Sequence, residues 1–208
     1  MKKLLVTTLL SLSITSGAAF AAEDGMKEAV FAGGCFWCLE KDFEAKNGVI
    51  EAVSGYAGGE SANPTYKQVS GGGSGHKEVI QVTYDPAVIT YGDLLKVFWQ
   101  NIDPFDDKGQ FCDKGDQYRA AIFYGSDAEQ DMAEQSKALI ETQVLKTDVV
   151  TGVEPLNAFY PAEDYHQNYY KTNSVKYKFY RWNCGRDARL EALWENAALS
   201  PLDKLNMP

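Results

Sequence analysis

Residues Glu28 to Cys38 constrain the fold of this chain more than any other stretch. Glu28 to Phe31 is a short, mostly apolar run that ends at Gly33-Gly34, and from Cys35 to Lys46 the residues Phe36, Leu39 and Phe43 fall at near-helical spacing. The pattern predicts a buried strand, a tight turn and a helix, with Cys35 at or beside the helix N-terminus. A thiol is nucleophilic only as thiolate, and a helix N-terminus offers partial positive charge and free amide donors that favour that anion. Two glycines permit the turn and leave the sulfur sterically open. This context argues against the plainer reading of Cys35 as a small buried hydrophobe.

Further along, alternation predicts strands over Val49–Tyr56, Lys77–Tyr84, Tyr118–Tyr124 and Val149–Leu156. Helical spacing marks Tyr91–Ile102, Ser126–Leu145 (capped by Ser126-Asp127) and a last short helix over Asp187–Asn196. Ala57–Gly75 and Asp103–Gly115 read as long Gly- and Asp-rich loops, and such loops commonly carry a site. Some connections are too short for parallel crossovers. The expected fold is therefore α/β (α+β), a two-layer sandwich with a mixed sheet and flanking helices. No repeat or linker splits it, so residues 22–208 read as one catalytic domain, with a core over about 27–196 and a C-terminal tail that carries Cys184.

The N-terminus belongs to a different category. Met1-Lys2-Lys3, the apolar run Leu4–Ile14 and Ala19-Phe20-Ala21 form the n-region, h-region and A-x-A site of a secretory signal peptide over residues 1–21. The run is too short to span a bilayer and contains Ser and Thr. The chain is thus expected to be exported, periplasmic or secreted. Losing Lys2 and Lys3 takes the formal net charge from −9 to −11. A chain this acidic repels phosphate backbones and anionic membranes, which disfavours nucleic-acid or membrane-surface binding.

Four cysteines follow the cleavage site: Cys35, Cys38, Cys112 and Cys184. In an oxidising compartment an even count suggests two structural disulfides, but a domain of this size does not need them. Zinc would require a second ligand pair, and Cys112, Cys184, His76 and His166 show no such spacing; no metal is expected. Cys35-Phe36-Trp37-Cys38 has the C-x-x-C spacing of a thiol–disulfide oxidoreductase, which is the alternative function. Against it, Phe36-Trp37 is a bulky apolar insert. It offers an aromatic wall beside the sulfur, suited to a small apolar substituent such as a methyl group.

Gly34-Cys35-Phe36-Trp37 resembles the signature of the peptide methionine sulfoxide reductase A family. The resemblance continues, in the family's order, through Gly55-Tyr56-Ala57-Gly58-Gly59, Asn63-Pro64-Thr65-Tyr66, Ser74-Gly75-His76-Lys77-Glu78, Tyr84-Asp85-Pro86, Gln117-Tyr118-Arg119 and Asp164-Tyr165-His166-Gln167. It implies reduction of the S epimer of methionine sulfoxide, free or in proteins, with no cofactor. The chemistry asks for a nucleophile, an acid and neutral donors, because oxide is a poor leaving group unless protonated. Cys35 is the nucleophile, and Phe36 and Trp37 hold the S-methyl group. Glu78, at a strand start after a Gly-rich loop, is the candidate acid, its proton retained by partial removal from water. The resemblance places Tyr66 and Tyr118 beside the sulfur as donors and Asp113 in the sulfoxide network.

Attack leaves Cys35 as sulfenic acid, which a second thiol must resolve. The resemblance favours Cys184. Cys38, one helical turn from Cys35, and Cys112, next to Asp113, remain open as alternatives. A thioredoxin-like reductant would then regenerate the dithiol. Gly71–Gly75 lacks the Lys-Ser/Thr of a phosphate loop, and Asp103, Asp106, Asp107, Asp113 and Asp116 lack EF-hand spacing. His166 reads as structural, holding the C-terminal segment.

Overall fold

Phe31, on strand β1 (Lys27–Ala32), is fully buried, its ring centroid 5.1 Å from Phe43 and 5.4 Å from Phe98. These rings lie on helices α1 (Phe36–Glu44) and α3 (Tyr91–Gln100), so the strand and both helices share one apolar layer. The computed structural model describes residues 25–206, and the expected signal peptide lies outside them. After α1 come β2 (Val49–Ala57), the short α2 (Tyr66–Ser70), β3 (Lys77–Tyr84) and α3. A two-strand ribbon follows, β4 (Gly109–Gln110) with β5 (Asp113–Lys114), then β6 (Ala121–Tyr124), α4 (Asp127–Leu139), β7 (Gly152–Pro155) and β8 (Phe159–Pro161). The described chain closes with α5 (Tyr169–Thr172), α6 (Ser174–Asn183), α7 (Arg186–Trp194) and a terminal 3-10 stretch, Ser200–Asn206.

The main sheet has the order β7-β6-β1-β3-β2-β8. All its pairings are antiparallel except β6 with β7, where α4 provides the crossover a parallel pair requires. This is the expected mixed sheet. Alternation divides the side chains cleanly: Ala29, Phe31, Ile80, Val82 and Ile122 face the helices, while Val30, Ala32, Val79, Ala121 and Phe123 form a smaller cluster on the other face under Leu156 and Phe159. Among the described residues no helix is long and apolar enough to cross a membrane.

Several boundaries differ from the sequence expectation, each for a local reason. Tyr118 is not in a strand: its amide bonds back to Gly115 at 3.0 Å, closing a 3-10 turn over Asp116–Tyr118 that turns the ring out of the sheet. The strand expected from Val149 begins only at Gly152, because the Val149 amide goes to Glu141 and that of Val150 to the Pro104 carbonyl. The helix from Ser126 changes at Ile140 to a π turn, closed by Leu145 N–H on Ile140 O at 2.8 Å. Cys184 lies in no tail. It caps α6, which is tied to α1 by Arg181 on Asp42 at 2.9 Å.

Candidate active site

The turn before α1 needs glycine for a specific reason. Gly34 has φ +83°, and a Cβ there would stand 2.6 Å from the Cβ of Gln110, a buried residue bonded twice to Asp103. Arg186, 2% exposed, donates to Gly33 O at 3.2 Å and Asn101 O at 2.6 Å and fixes the same turn from α7. Cys35 therefore arrives at the N-cap position of α1, 5% exposed.

Its sulfur does not receive the helix amides. The first free N–H of α1, that of Phe36, donates to Glu78 Oε2 at 3.1 Å, and Cys35 makes no capping bond. The expectation that the helix terminus depresses the Cys35 pKa is thereby overturned: burial raises it well above the usual thiol range, reinforced by Cys38, Glu78 and Asp113. Cys38, 1% exposed and hydrogen-bonded to Cys35, is held lower by that bond. Protons on the neighbouring carboxyls remove the smaller, electrostatic part of that rise and so favour the Cys35 thiolate.

Burial favours a proton on Glu78. Directly opposite Tyr56 in the β2–β3 register and facing the helices, it is 3% exposed, and burial pushes its pKa up to about 8 despite the Phe36 amide. At neutral pH it is a carboxylic acid beside the nucleophile. Tyr66, in the first turn of α2, is fixed through its backbone N–H on Glu163 at 2.9 Å. Burial pushes its phenol up to about 12 and raises Tyr118 further, so both remain donors. A cavity of about 70 Å³ opens among Cys35, Phe36, Trp37, Tyr66, Glu78 and Tyr118, with Asp113 and Tyr180 completing its wall. All the residues expected to act on the sulfoxide converge there. The space is of the size of a small apolar substituent such as an S-methyl group.

The sequence profile of the family described as peptide methionine sulfoxide reductase matches residues 27–198. The chain belongs to the peptide methionine sulfoxide reductase family. It is 45% identical over 174 residues to peptide methionine sulfoxide reductase MsrA of Listeria monocytogenes, covering 83% of this chain and 98% of that one. Identity to MsrA 2 of Caulobacter vibrioides is 44% over 195 residues, covering 93% and 99%. Among solved structures, Mxr1 from Saccharomyces cerevisiae in reduced form superposes with a TM-score of 0.68 at 34% identity, covering 72% of this chain and 87% of that one. Methionine sulfoxide reductase A of Corynebacterium diphtheriae gives 0.65 at 30%, covering 74% and 77%.

Within this family framework, several supporting residues escaped the sequence reading. Tyr180 donates its hydroxyl to Asp113 Oδ2 and lines the cavity. Its signal was present in the spacing, since Tyr177, Tyr180, Arg181 and Cys184 share one face of α6. His166 does more than hold the C-terminal segment. It is 2% exposed, its Nδ1 accepts from Trp37 Nε1 at 3.2 Å, and its ring lies 4.9 Å from Phe36 and 4.4 Å from Tyr66. Glu40, fully buried, accepts from Ser54 Oγ and from the Asn168 amide, where φ is +53°, and so anchors the segment that delivers His166.

The remaining cysteines are joined. Cys112 and Cys184 form a disulfide with Cα atoms 5.0 Å apart, whereas Cys35 and Cys38 are free. Cys112 is exposed at the tip of the β4–β5 hairpin, after Phe111 at φ +56°. Asp113 links this bridge to the cavity, with Oδ1 3.9 Å from Cys112 Sγ and Oδ2 on Tyr180.

Proposed function

We propose that Cys35 reduces the S epimer of methionine sulfoxide, with Glu78 as acid. This chain is a methionine sulfoxide reductase; the residue roles are our reading of its geometry. The observation that carries it is the buried Glu78 carboxyl, anchored on the Phe36 amide in the same 70 Å³ cavity as the Cys35 sulfur, where burial pushes its pKa up to about 8. As the thiolate attacks sulfur, Glu78 protonates the oxygen, and the Tyr66 and Tyr118 hydroxyls donate to the charge developing on it. The wall of Phe36 and Trp37, locked by His166, receives the methyl group and discriminates the epimers. The bond between the substrate sulfur and its oxygen then breaks, the hydroxyl oxygen passes to the Cys35 sulfur, and the thioether leaves with the bonding pair; Cys35 is oxidised to sulfenic acid as the substrate sulfur is reduced by two electrons.

In the reaction sequence we infer, the Cys184 thiol displaces water from this sulfenic acid. Cys112 then attacks the mixed disulfide, freeing Cys35 and closing the Cys112–Cys184 bridge. Exposure of Cys112 supports this pair as the one presented to a thioredoxin-like reductant. The basic, apolar and A-x-A segments of residues 1–21 support export, into a compartment where such a bridge persists.

The test is reduction of separated R and S epimers of a methionine sulfoxide peptide with dithiothreitol. Consumption of the S epimer alone, abolished in Cys35→Ser, is expected. Loss of neither epimer with folded, reduced protein would overturn the assignment.

A further inference from the structure

Sequence spacing shows no metal site, because the relevant cysteines stand 72 residues apart. Folding removes that separation. The ligand atoms of Cys112, Asp113 and Cys184 all lie within 4.8 Å of one another, at a rim where Cys112 is exposed and the other two are half-buried. We propose that, once their disulfide is reduced, these three residues bind a zinc ion.

The donor set determines the metal class. Two thiolates and one carboxylate suit zinc, whereas calcium and magnesium require oxygen ligands. On a tetrahedral zinc two thiolate sulfurs stand roughly 3.5–4 Å apart, from Zn–S bonds of about 2.3 Å. Parting the reduced sulfurs to that distance is a short movement of two side chains on a hairpin tip and a helix end. Solvent at the rim supplies the fourth ligand as water.

The surroundings already have the form of an outer shell. Asp113 Oδ2 accepts the Tyr180 hydroxyl, which orients the carboxylate and leaves Oδ1 toward Cys112. The Cys112 backbone N–H points at Cys184 Sγ, 3.3 Å away, the kind of contact that stabilises a metal thiolate. Lys114 and Arg186 are the cations that act on Asp113, and they offset part of the site's negative charge. The other dithiol, Cys35 and Cys38, is almost wholly buried, and Cys35 lines the catalytic cavity.

Because zinc and the disulfide use the same two sulfurs, they exclude each other. Oxidation of the two thiolates to the bridge releases the metal. If the bridge closes during turnover, a consequence that rests on the reaction sequence above, one zinc leaves per sulfoxide reduced. Two electrons pass from the thiolates through Cys184 to the Cys35 sulfenic acid, whose oxygen departs as water.

The experiment uses the full folded protein, reduced with a phosphine and desalted anaerobically, then titrated with zinc against a chromophoric chelator and with cobalt as a spectroscopic stand-in. One equivalent is expected, with a thiolate-to-cobalt charge-transfer band, in the reduced protein and none in the oxidised one. Cys112→Ser and Cys184→Ser should abolish the band, Cys35→Ser/Cys38→Ser should retain it, and Tyr180→Phe should weaken zinc by roughly ten-fold or more at unchanged stoichiometry. Full binding in Cys112→Ser, or loss confined to Cys35→Ser/Cys38→Ser, would overturn the site. Addition of one equivalent of methionine sulfoxide to the zinc-loaded chain should then release the metal. Zinc that binds at Cys112 and Cys184 but stays bound through turnover leaves the site standing and refutes the reaction sequence.

Discussion

The backbone N–H of Phe36 donates to Glu78 Oε2 across 3.1 Å, so the first free amide of α1 holds the acid and not the nucleophile. Gln at position 78 preserves an acceptor for that amide and removes the proton. Glu78→Gln should therefore fold normally and lose about 10²- to 10⁴-fold in kcat/KM for the S epimer, the usual range for a positioned acid. Circular dichroism checks the fold, and stopped-time assays check the rate. An unchanged rate would remove Glu78 from the mechanism.

The same proton makes stability depend on pH. Burial raises Glu78 to about 8 and Glu40 to about 7, both above their ordinary carboxyl values. In the range between the unfolded and folded pKa values, the native state binds more protons than the unfolded state, so stability must fall as pH rises. The contribution is complete below the unfolded value, near pH 4.5, and is lost as pH passes about 7 for Glu40 and about 8 for Glu78. Denaturant midpoints between pH 5 and 9 should decline in the native chain and decline less in Glu40→Gln and in Glu78→Gln. Activity should fall above about pH 8, as Glu78 loses its proton. A flat stability profile in the native chain would show that both carboxyls are ionised there.

How far the sequence revealed this site depends on the range of each interaction. Gly34, Cys35 and the start of α1 are consecutive, and the strand–turn–helix they form was legible because its causes are local. The alternation of Lys77–Tyr84 likewise marked β3 and the place of Glu78 at its start. Tyr118 was read into a strand because its neighbours alternate, but the Gly115 carbonyl, out of reach of periodicity, closes a 3-10 turn instead. The Cys112–Cys184 bridge, Tyr180 on Asp113 and Glu40 under Asn168 each join residues 67 to 128 positions apart. Only the folded sheet decides such partners. The helix-dipole argument for Cys35 failed on the same ground, since it left out the distant carboxyl that takes the amide.

His166 and Trp37 offer a test of substrate fit that is separate from chemistry. Trp37 also stacks on Tyr169 at 3.8 Å, so its ring is held from two sides. Burial lowers the His166 pKa, which keeps the ring neutral and its Nδ1 an acceptor. His166→Ala releases one of those holds and leaves the Trp37 N–H unpaired, at a cost of about 1–3 kcal/mol. The expected result is a KM for sulfoxide raised roughly 5- to 100-fold with kcat changed far less, because the acid and nucleophile stay in place. A fall confined to kcat would mean that His166 takes part in proton transfer.

The order in which the cysteines act can be separated by trapping. Cys38 is in contact with Cys35, whereas Cys184 is bonded to Cys112 at the rim, so contact alone favours a Cys35–Cys38 bridge. Burial opposes that outcome. With Cys38 1% exposed, a bridge made there would be closed to any protein reductant, and repeated turnover would stall. A fully reduced chain given one equivalent of methionine sulfoxide, alkylated and digested, should yield Cys112–Cys184 with Cys35 and Cys38 alkylated. Cys112→Ser should complete one turnover and stop as the Cys35–Cys184 mixed disulfide, at near-native rate for the first methionine released and at least ten-fold slower thereafter with a thioredoxin-like reductant. Cys38→Ser should keep multiple turnover. Recovery of Cys35–Cys38 as the terminal product in the native chain would remove Cys184 from the resolving role and make the rim disulfide a structural one.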